Sequence, residues 1–92
     1  MPETVLDIHH EHGLHARPAD LFVRTANKFQ ADIRINNLTT GSEPVNAKSI
    51  LRVLGLGVHS RHCVRVVAEG PDAADALEAL TRIVATNFVA EE

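Results

Sequence analysis

The chain has 92 residues, of which 45% are apolar and 23% charged, and its formal net charge is −3. This length and composition predict one small globular domain over residues 1–92 and exclude disordered and low-complexity chains. No apolar run approaches the roughly twenty residues that cross a bilayer, and the polar start lacks the basic and hydrophobic parts of a signal peptide. A negatively charged chain without Tyr or Trp is also unsuited to binding nucleic acid. We therefore expect a cytoplasmic protein that binds other proteins and does not bind membranes.

The first two elements follow from a change in apolar spacing. Alternation over residues 4–10 places Leu6 and Ile8 on one side of a half-buried strand. Residues 16–27 then have the spacing of an amphipathic helix. The apolar stripe that this helix buries consists of Ala19, Phe22, Val23 and Ala26. Its exposed faces carry Asp20, Arg24 and Lys28.

Two further strands are predicted in the middle of the chain. Residues 32–36 alternate around Ile33, and residues 37–42 are rich in turn formers. A short strand near residues 43–46 follows. Pro44 is typical of a sheet edge, because proline lacks the N–H that an inner strand donates.

A short helix is predicted after that strand. Ser49 can act as its N-cap, the helix runs through Leu54, and Gly55 ends it. A helix this short cannot bury every side. We therefore expect at least one of Ile50, Leu51 and Leu54 to be exposed.

The last strand and helix complete an α+β pattern. Residues 62–68 predict a central strand. Its inward-facing residues are Val64, Val66 and Ala68. Asp72 is the expected cap of a final helix that runs up to Asn87 and Phe88. The stripe of this helix is Ala73, Ala76, Leu77, Leu80, Ile83 and Val84. The order predicts helices on one face of a mostly antiparallel four-stranded sheet, an arrangement that several two-layer α+β folds share.

Residues 13–19, GLHARPA, combine a glycine turn, a histidine and the start of the first predicted helix. The first N–H groups of a helix have no partner within it and carry the positive end of its dipole, so anions bind there. The dipole disfavours the imidazolium form of His15 and leaves a ring nitrogen free to attack phosphorus. The N–H groups of Ala16 and Arg17 would then hold the phosphoryl group, while the Arg17 guanidinium pairs with its oxygens. The sequence therefore predicts a phosphoryl-accepting histidine.

The same segment resembles the active-site signature of HPr, the histidine-containing phosphocarrier family of the bacterial phosphoenolpyruvate-dependent sugar phosphotransferase system. The resemblance continues in family order through AKSIL at residues 47–51, LG at 56–57 and AEG at 68–70. It implies an open-faced β-sandwich with strand order 1-4-2-3 and three helices on one face. It also implies a carrier rather than an enzyme: His15 would accept a phosphoryl group on Nδ1 from enzyme I and pass it to sugar-specific, enzyme IIA-type acceptor domains. No cofactor of its own is implied, since magnesium and phosphoenolpyruvate belong to enzyme I.

Two further predictions come with the resemblance. In the family, the short middle helix joins the first helix to form the partner-binding face. The residues expected to contact partners here are Arg24, Ile50, Leu51 and Leu54. Ser49 resembles the serine that a kinase phosphorylates in many Gram-positive members to regulate carbon use, which implies a serine kinase or phosphorylase as a partner. An N-cap serine is needed here in any case, and Arg52 stands where many of those members have glycine.

Two other functions remain open. A regulatory HPr-like module of the nitrogen-related type would use the same histidine to control its binding to regulators. A metal site would need His9, His10 and His12. Strand alternation sends His9 and His10 to opposite faces and no cysteine or carboxylate cluster completes a site, so we expect no metal.

Four remaining polar residues carry smaller expectations. Cys63 cannot form an internal disulfide and lies in an apolar run, so we expect a buried and inert thiol. His59 and His62 lie near a loop and are expected to be solvated. Asp20, one turn after Arg17, is expected to pair with Arg17 or Arg24.

Overall fold

The computed structural model describes residues 2–9, 13–14 and 16–86. The elements, in chain order, are β1 (Glu3–Asp7), α1 (Ala16–Ala26), β2 (Asp32–Asn37), β3 (Val45–Asn46), α2 (Ile50–Leu54), β4 (Cys63–Glu69) and α3 (Ala73–Ala85). The predicted order of elements is confirmed. The bounds differ most at β1, which ends at Asp7 instead of residue 10, and His10, Asn87 and Phe88 lie outside the described residues.

The strands form one sheet in the order β1-β4-β2-β3, and each neighbouring pair is antiparallel. Val66 on β4 pairs with Thr4 on β1 and with Ile35 on β2. Val64, Val66 and Ala68 are fully buried, because this strand has neighbours on both edges and helices over one face. The central position of β4 and its predicted inward residues are confirmed, as is the open-faced β-sandwich.

The apolar stripes of the longer helices face the sheet. All four residues of the predicted α1 stripe are buried, with Phe22 among the largest fully buried side chains. The fully buried part of the α3 stripe consists of Ala73, Ala76, Leu80 and Val84, whereas Leu77 and Ile83 are half-buried. No helix among the described residues has both the length and the apolar composition needed to cross a membrane.

The strand at the edge is shorter than predicted. β3 contains only Val45 and Asn46, and the exposed Pro44 precedes it. β3 pairs with β2 alone, so the predicted edge position of this strand is confirmed.

The carboxylate of Asp72 does not have the role predicted for it. Asp72 stands at the N-cap position of α3 but makes no side-chain hydrogen bond to that helix. Its two oxygens accept hydrogen bonds from the backbone N–H groups of Gln30 and Ala31, each at 2.8 Å. The bond from Gln30 is the main cause that lowers the pKa of Asp72. The predicted capping bond is wrong, because N–H donors in a turn distant in sequence bind the carboxylate instead.

The β2–β3 loop is organised by the buried side chain of Asn37. Its Oδ1 accepts hydrogen bonds from the N–H groups of Thr39 and Thr40, and its Nδ2 lies 3.1 Å from His62 Nδ1. The backbone N–H of His59 donates to the same ring nitrogen at 3.1 Å. His62 is therefore half-buried and hydrogen-bonded, not solvated as predicted, whereas His59 is exposed.

The thiol of Cys63 is half-buried, so the prediction of a buried cysteine is wrong. Alternation places Cys63 opposite to Val64, on the face of the sheet that the helices leave open. Its Sγ donates a hydrogen bond of 2.8 Å to Asp7 Oδ1 on the paired strand β1. That bond, together with desolvation and the charge of Asp7, raises the pKa of the thiol.

Candidate functional site

The turn before α1 is held against a second loop of the chain. Gly13 has a φ of 67°, and a Cβ on it would lie 2.2 Å from the carbonyl oxygen of Val58 and 2.6 Å from Cα of His59. The N–H of Leu14 donates to the same Val58 oxygen at 2.9 Å, and the Leu14 side chain is buried. Sequence reasoning missed Val58 and His59 as supports of this turn; the only signal was the glycine, which marks a close approach without naming the partner.

Helix α1 begins immediately after this turn. Ala16 and Arg17 are exposed, Pro18 is buried, and the first turn of the helix contains no acidic residue. The N–H groups of Ala16 and Arg17 have no partner within the helix, and Pro18 has no N–H to satisfy. The described part of the site therefore offers an anion two backbone donors and one exposed guanidinium. His15 itself lies outside the described residues.

The acidic residue one turn along α1 is paired with Arg24. Arg24 Nε lies 3.1 Å from Asp20 Oδ2, and the two side chains are 76% and 54% exposed. This confirms one of the two pairs expected for Asp20. Within the described ranges Arg17 makes no ion pair, so Asp20 does not compete with a phosphoryl group for Arg17. An exposed pair of this kind contributes little to stability.

Helix α2 presents apolar side chains to solvent. Leu51 is 79% and Leu54 37% exposed, whereas Ile50 is half-buried and Val53 fully buried. The helix packs against α1, and Asn27 Nδ2 at the end of α1 donates to the carbonyl of Lys48 at 3.2 Å. The expectation that this helix leaves at least one apolar residue exposed is confirmed.

Ser49 is the N-cap of α2, as predicted. Its Oγ accepts a hydrogen bond from the N–H of Arg52 at 3.4 Å, and its carbonyl accepts one from the N–H of Val53 at 3.0 Å. Gly55 ends the helix and donates to the carbonyl of Leu51.

The residues of the metal alternative are mostly outside the description. His10 and His12 are not described, and His9 is exposed. Across residues 2–9, 13–14 and 16–86, no group of three or more His, Cys, Asp or Glu side chains could hold a metal ion.

These observations define the class of protein: an α+β open-faced β-sandwich with an exposed helix start next to a clamped glycine turn. A family model described as the PTS HPr component phosphorylation site matches residues 2–86. The chain therefore belongs to the HPr family of the phosphotransferase system.

Individual relatives agree with this assignment. The phosphocarrier protein HPr of Haloferax volcanii is 49% identical over 84 residues, which are 91% of this chain and 93% of that protein. The multiphosphoryl transfer protein of Vibrio cholerae is 49% identical over 73 residues, which are 79% of this chain and 18% of that protein. The chain thus spans only about a fifth of the length of the multiphosphoryl transfer proteins that it matches.

Solved structures share the whole fold. The crystal structure of HPr-C-His from Thermoanaerobacter tengcongensis is 40% identical and superposes with a TM-score of 0.91 over 100% of both chains. That of a phosphocarrier protein HPr from Bacillus anthracis is 40% identical, with a TM-score of 0.83 over 90% of this chain and 95% of that one. Membership of this family supports a phosphoryl-carrier role within the phosphotransferase system.

Proposed function

We propose that this chain is a phosphocarrier that accepts a phosphoryl group on His15 from enzyme I and passes it to sugar-specific, enzyme IIA-type acceptor domains. The observation that carries the proposal is the start of α1. Ala16 and Arg17 are exposed at the first turn of a helix without acidic residues, directly after the Gly13 turn. This is where the backbone and the dipole favour an anion.

The proposed transfer exchanges one phosphorus–nitrogen bond for another. A ring nitrogen of neutral His15 attacks phosphorus in line, the new bond forms as the bond to the donor histidine breaks, and the leaving ring keeps the bonding electron pair. The N–H groups of Ala16 and Arg17 and the Arg17 guanidinium stabilise the charge on the phosphoryl oxygens. Because the bond formed is of the same type as the bond broken, the group stays transferable, and the chain acts as a carrier that is modified once per cycle.

We further propose that the exposed side of α2 takes part in docking to both donor and acceptor. Leu51 and Leu54 supply a small apolar area, Ile50 supports it from a half-buried position, and Arg24 adds charge at the side of α1. Contacts of this size suit brief encounters, because a carrier has to leave each partner before it meets the next.

Regulation at Ser49 by a serine kinase or phosphorylase is a separate proposal. A phosphate on Ser49 would add negative charge beside the exposed Leu51, where partners are proposed to bind. Ser49→Ala and Ser49→Asp, both compared with the parent for binding to enzyme I, test this. Regulation is supported if Ser49→Asp binds enzyme I more weakly than the parent while Ser49→Ala binds it as the parent does. Equal binding of all three proteins contradicts it.

Onward transfer separates transport from a regulatory role. The protein is loaded with labelled phosphate by enzyme I and phosphoenolpyruvate and then mixed with candidate enzyme IIA-type domains. Rapid loss of label to a sugar-specific domain is the expected result. If no such domain accepts the label, and a regulator binds only one phosphorylation state, the chain is the regulatory module instead.

A further inference from the structure

A second feature lined by arginines lies outside the proposed carrier site, at the edge of the sheet where β3 meets α2. An open cavity of about 450 Å³ is lined there by two arginines, Arg34 and Arg52. The rest of its lining is Pro44, Val45, Asn46 and Ser49. Its volume falls within the range typical of small-molecule sites.

The charge of this cavity is entirely positive. Two arginines line it and no carboxylate does. Across the described ranges neither Arg34 nor Arg52 forms an ion pair, although the chain as a whole carries a net charge of −3. Glu43 is adjacent to Pro44 in sequence but does not line the cavity. Two arginines without a carboxylate in the lining give the cavity a positive potential, which favours an anion.

The local fold adds polar groups suited to an anion. Arg34 lies on β2 between the buried Ile33 and Ile35, so its side chain leaves the sheet on the helix-free face. It is paired in register with Asn46 on β3. Since β3 is the edge strand, one side of its backbone has no neighbouring strand, and sheet edges of this kind provide donors to anions. The planar guanidinium fork matches two oxygens of a phosphate group.

We propose that this cavity binds a small phosphate monoester through Arg34 and Arg52. A dianionic phosphate neutralises both guanidinium groups, and the polar wall formed by Asn46 and Ser49 contacts the remainder of the ligand. The site is independent of His15, so its existence neither requires nor follows from the carrier function.

The test is a nuclear magnetic resonance titration of the ¹⁵N-labelled protein with glycerol phosphate, with glycerol and sodium chloride at matched ionic strength as controls. The expected result is saturable shifts of amide signals from residues 45–52 with glycerol phosphate only. Arg34→Gln should weaken binding about tenfold, since charge-assisted hydrogen bonds contribute on that order. Arg82→Gln, which removes an exposed arginine from the last turn of α3, should leave it unchanged.

Three results would overturn the proposal. Amide shifts that do not saturate, or that sodium chloride reproduces, would mean that glycerol phosphate only screens charges and does not bind in the cavity. Equal affinity of the parent and a folded Arg34→Gln,Arg52→Gln double variant means that the arginines are not the site. If free glycerol phosphate does not bind, but a phosphate placed on Ser49 titrates at lower pH in the parent than in the double variant, the cavity holds the chain's own modification and takes no free ligand.

Arg34→Gln also separates this proposal from the carrier function. Labelling of His15 by enzyme I is expected to proceed at the parent rate in this variant. Loss of glycerol phosphate binding with normal labelling supports the cavity alone, and failure of labelling in the parent refutes the carrier function without affecting the cavity.

Discussion

At the scale of single residues, Gly13 and Gly57 differ in what surrounds them. Both have positive φ, at 67° and 62°. A Cβ at Gly13 would collide with the backbone of Val58 and His59, whereas a Cβ at Gly57 would meet nothing within 4 Å. Gly13 is therefore required for two reasons, conformation and space, and Gly57 for conformation alone.

This difference gives a matched pair of substitutions. Gly57→Ala should lower the free energy of unfolding by about 1–2 kcal/mol, the cost of a left-handed residue with a side chain. Gly13→Ala should cost roughly 2–5 kcal/mol because overpacking is added, and it should slow phosphorylation of His15 by moving the turn. Urea unfolding measures the free energy of unfolding of both variants. Equal losses for the two variants would show that the turn is not clamped on residues 58 and 59.

Asp72 is expected to make stability depend on pH. Its pKa is lowered in the folded protein from an ordinary value of 3.8. The contribution of Asp72 to the free energy of unfolding is therefore complete at pH values above the pKa of this carboxyl in the unfolded chain. It is lost as the pH falls through the lower pKa of the same carboxyl in the folded protein. Asp72→Asn should be less stable than the parent at neutral pH, and the difference should shrink in acid.

The control for Asp72 is Asp75→Asn, since Asp75 is an exposed carboxylate in the first turn of the same helix. Urea unfolding between neutral and acidic pH measures both variants against the parent. A constant difference between Asp72→Asn and the parent over that range would refute the role of the Gln30 and Ala31 hydrogen bonds.

Arg17 is expected to act on transfer without holding the fold together. Its side chain is exposed and has no ion-pair partner in the described part of the chain. Arg17→Gln should slow phosphoryl transfer by at least about tenfold, because a charge-assisted contact to the phosphoryl oxygens is lost, with the free energy of unfolding unchanged within about 0.5 kcal/mol. Rapid-quench kinetics with enzyme I measures the rate. A rate equal to that of the parent and of Arg82→Gln would remove Arg17 from the site.

At the scale of elements, α2 divides its side chains between the core and solvent. Val53 is fully buried and Leu51 is 79% exposed, because residues two positions apart on a helix point to nearly opposite sides. A single turn of helix therefore both closes the core and presents an apolar contact.

Alanine substitutions should separate these two tasks. Val53→Ala should cost about 1–3 kcal/mol of stability through a core cavity. Leu51→Ala should change stability by less than about 0.5 kcal/mol and yet weaken binding to enzyme I. Calorimetry of binding and of unfolding measures both effects. Unchanged affinity in Leu51→Ala would exclude α2 from the docking surface.

The elements themselves were predictable wherever local pattern decides the structure. The stripe of α1, the alternation of β4 and the cap at Ser49 are all visible in sequence because each depends on neighbours a few residues apart. The errors have two causes. Asp72 binds a turn some forty residues away, and such a contact has no local signature. The half-buried state of Cys63 follows from the same alternation that buries Val64, so that error came from the apolar composition of the segment and not from a missing signal.

At the scale of the whole molecule, the fold brings together segments that are far apart in sequence. The Gly13 turn rests on residues 58–59, α1 packs on α2, and β4 joins β1 to β2. The family motifs pointed to Ala16, Arg17 and the short helix α2, and the structure shows that Ala16, Arg17, Leu51 and Leu54 are exposed. Two features could not be predicted, because neither is part of a motif. They are the contact of the Gly13 turn with Val58 and the arginine-lined cavity beside β3.

The proposed carrier function depends on phosphorylation of His15. The most direct measurement is to incubate the parent and His15→Ala with enzyme I and labelled phosphoenolpyruvate and to quantify acid-labile, protein-bound phosphate. We expect about one labile phosphate per parent molecule and none on a folded His15→Ala variant. Labelling of that variant to the parent level would contradict it.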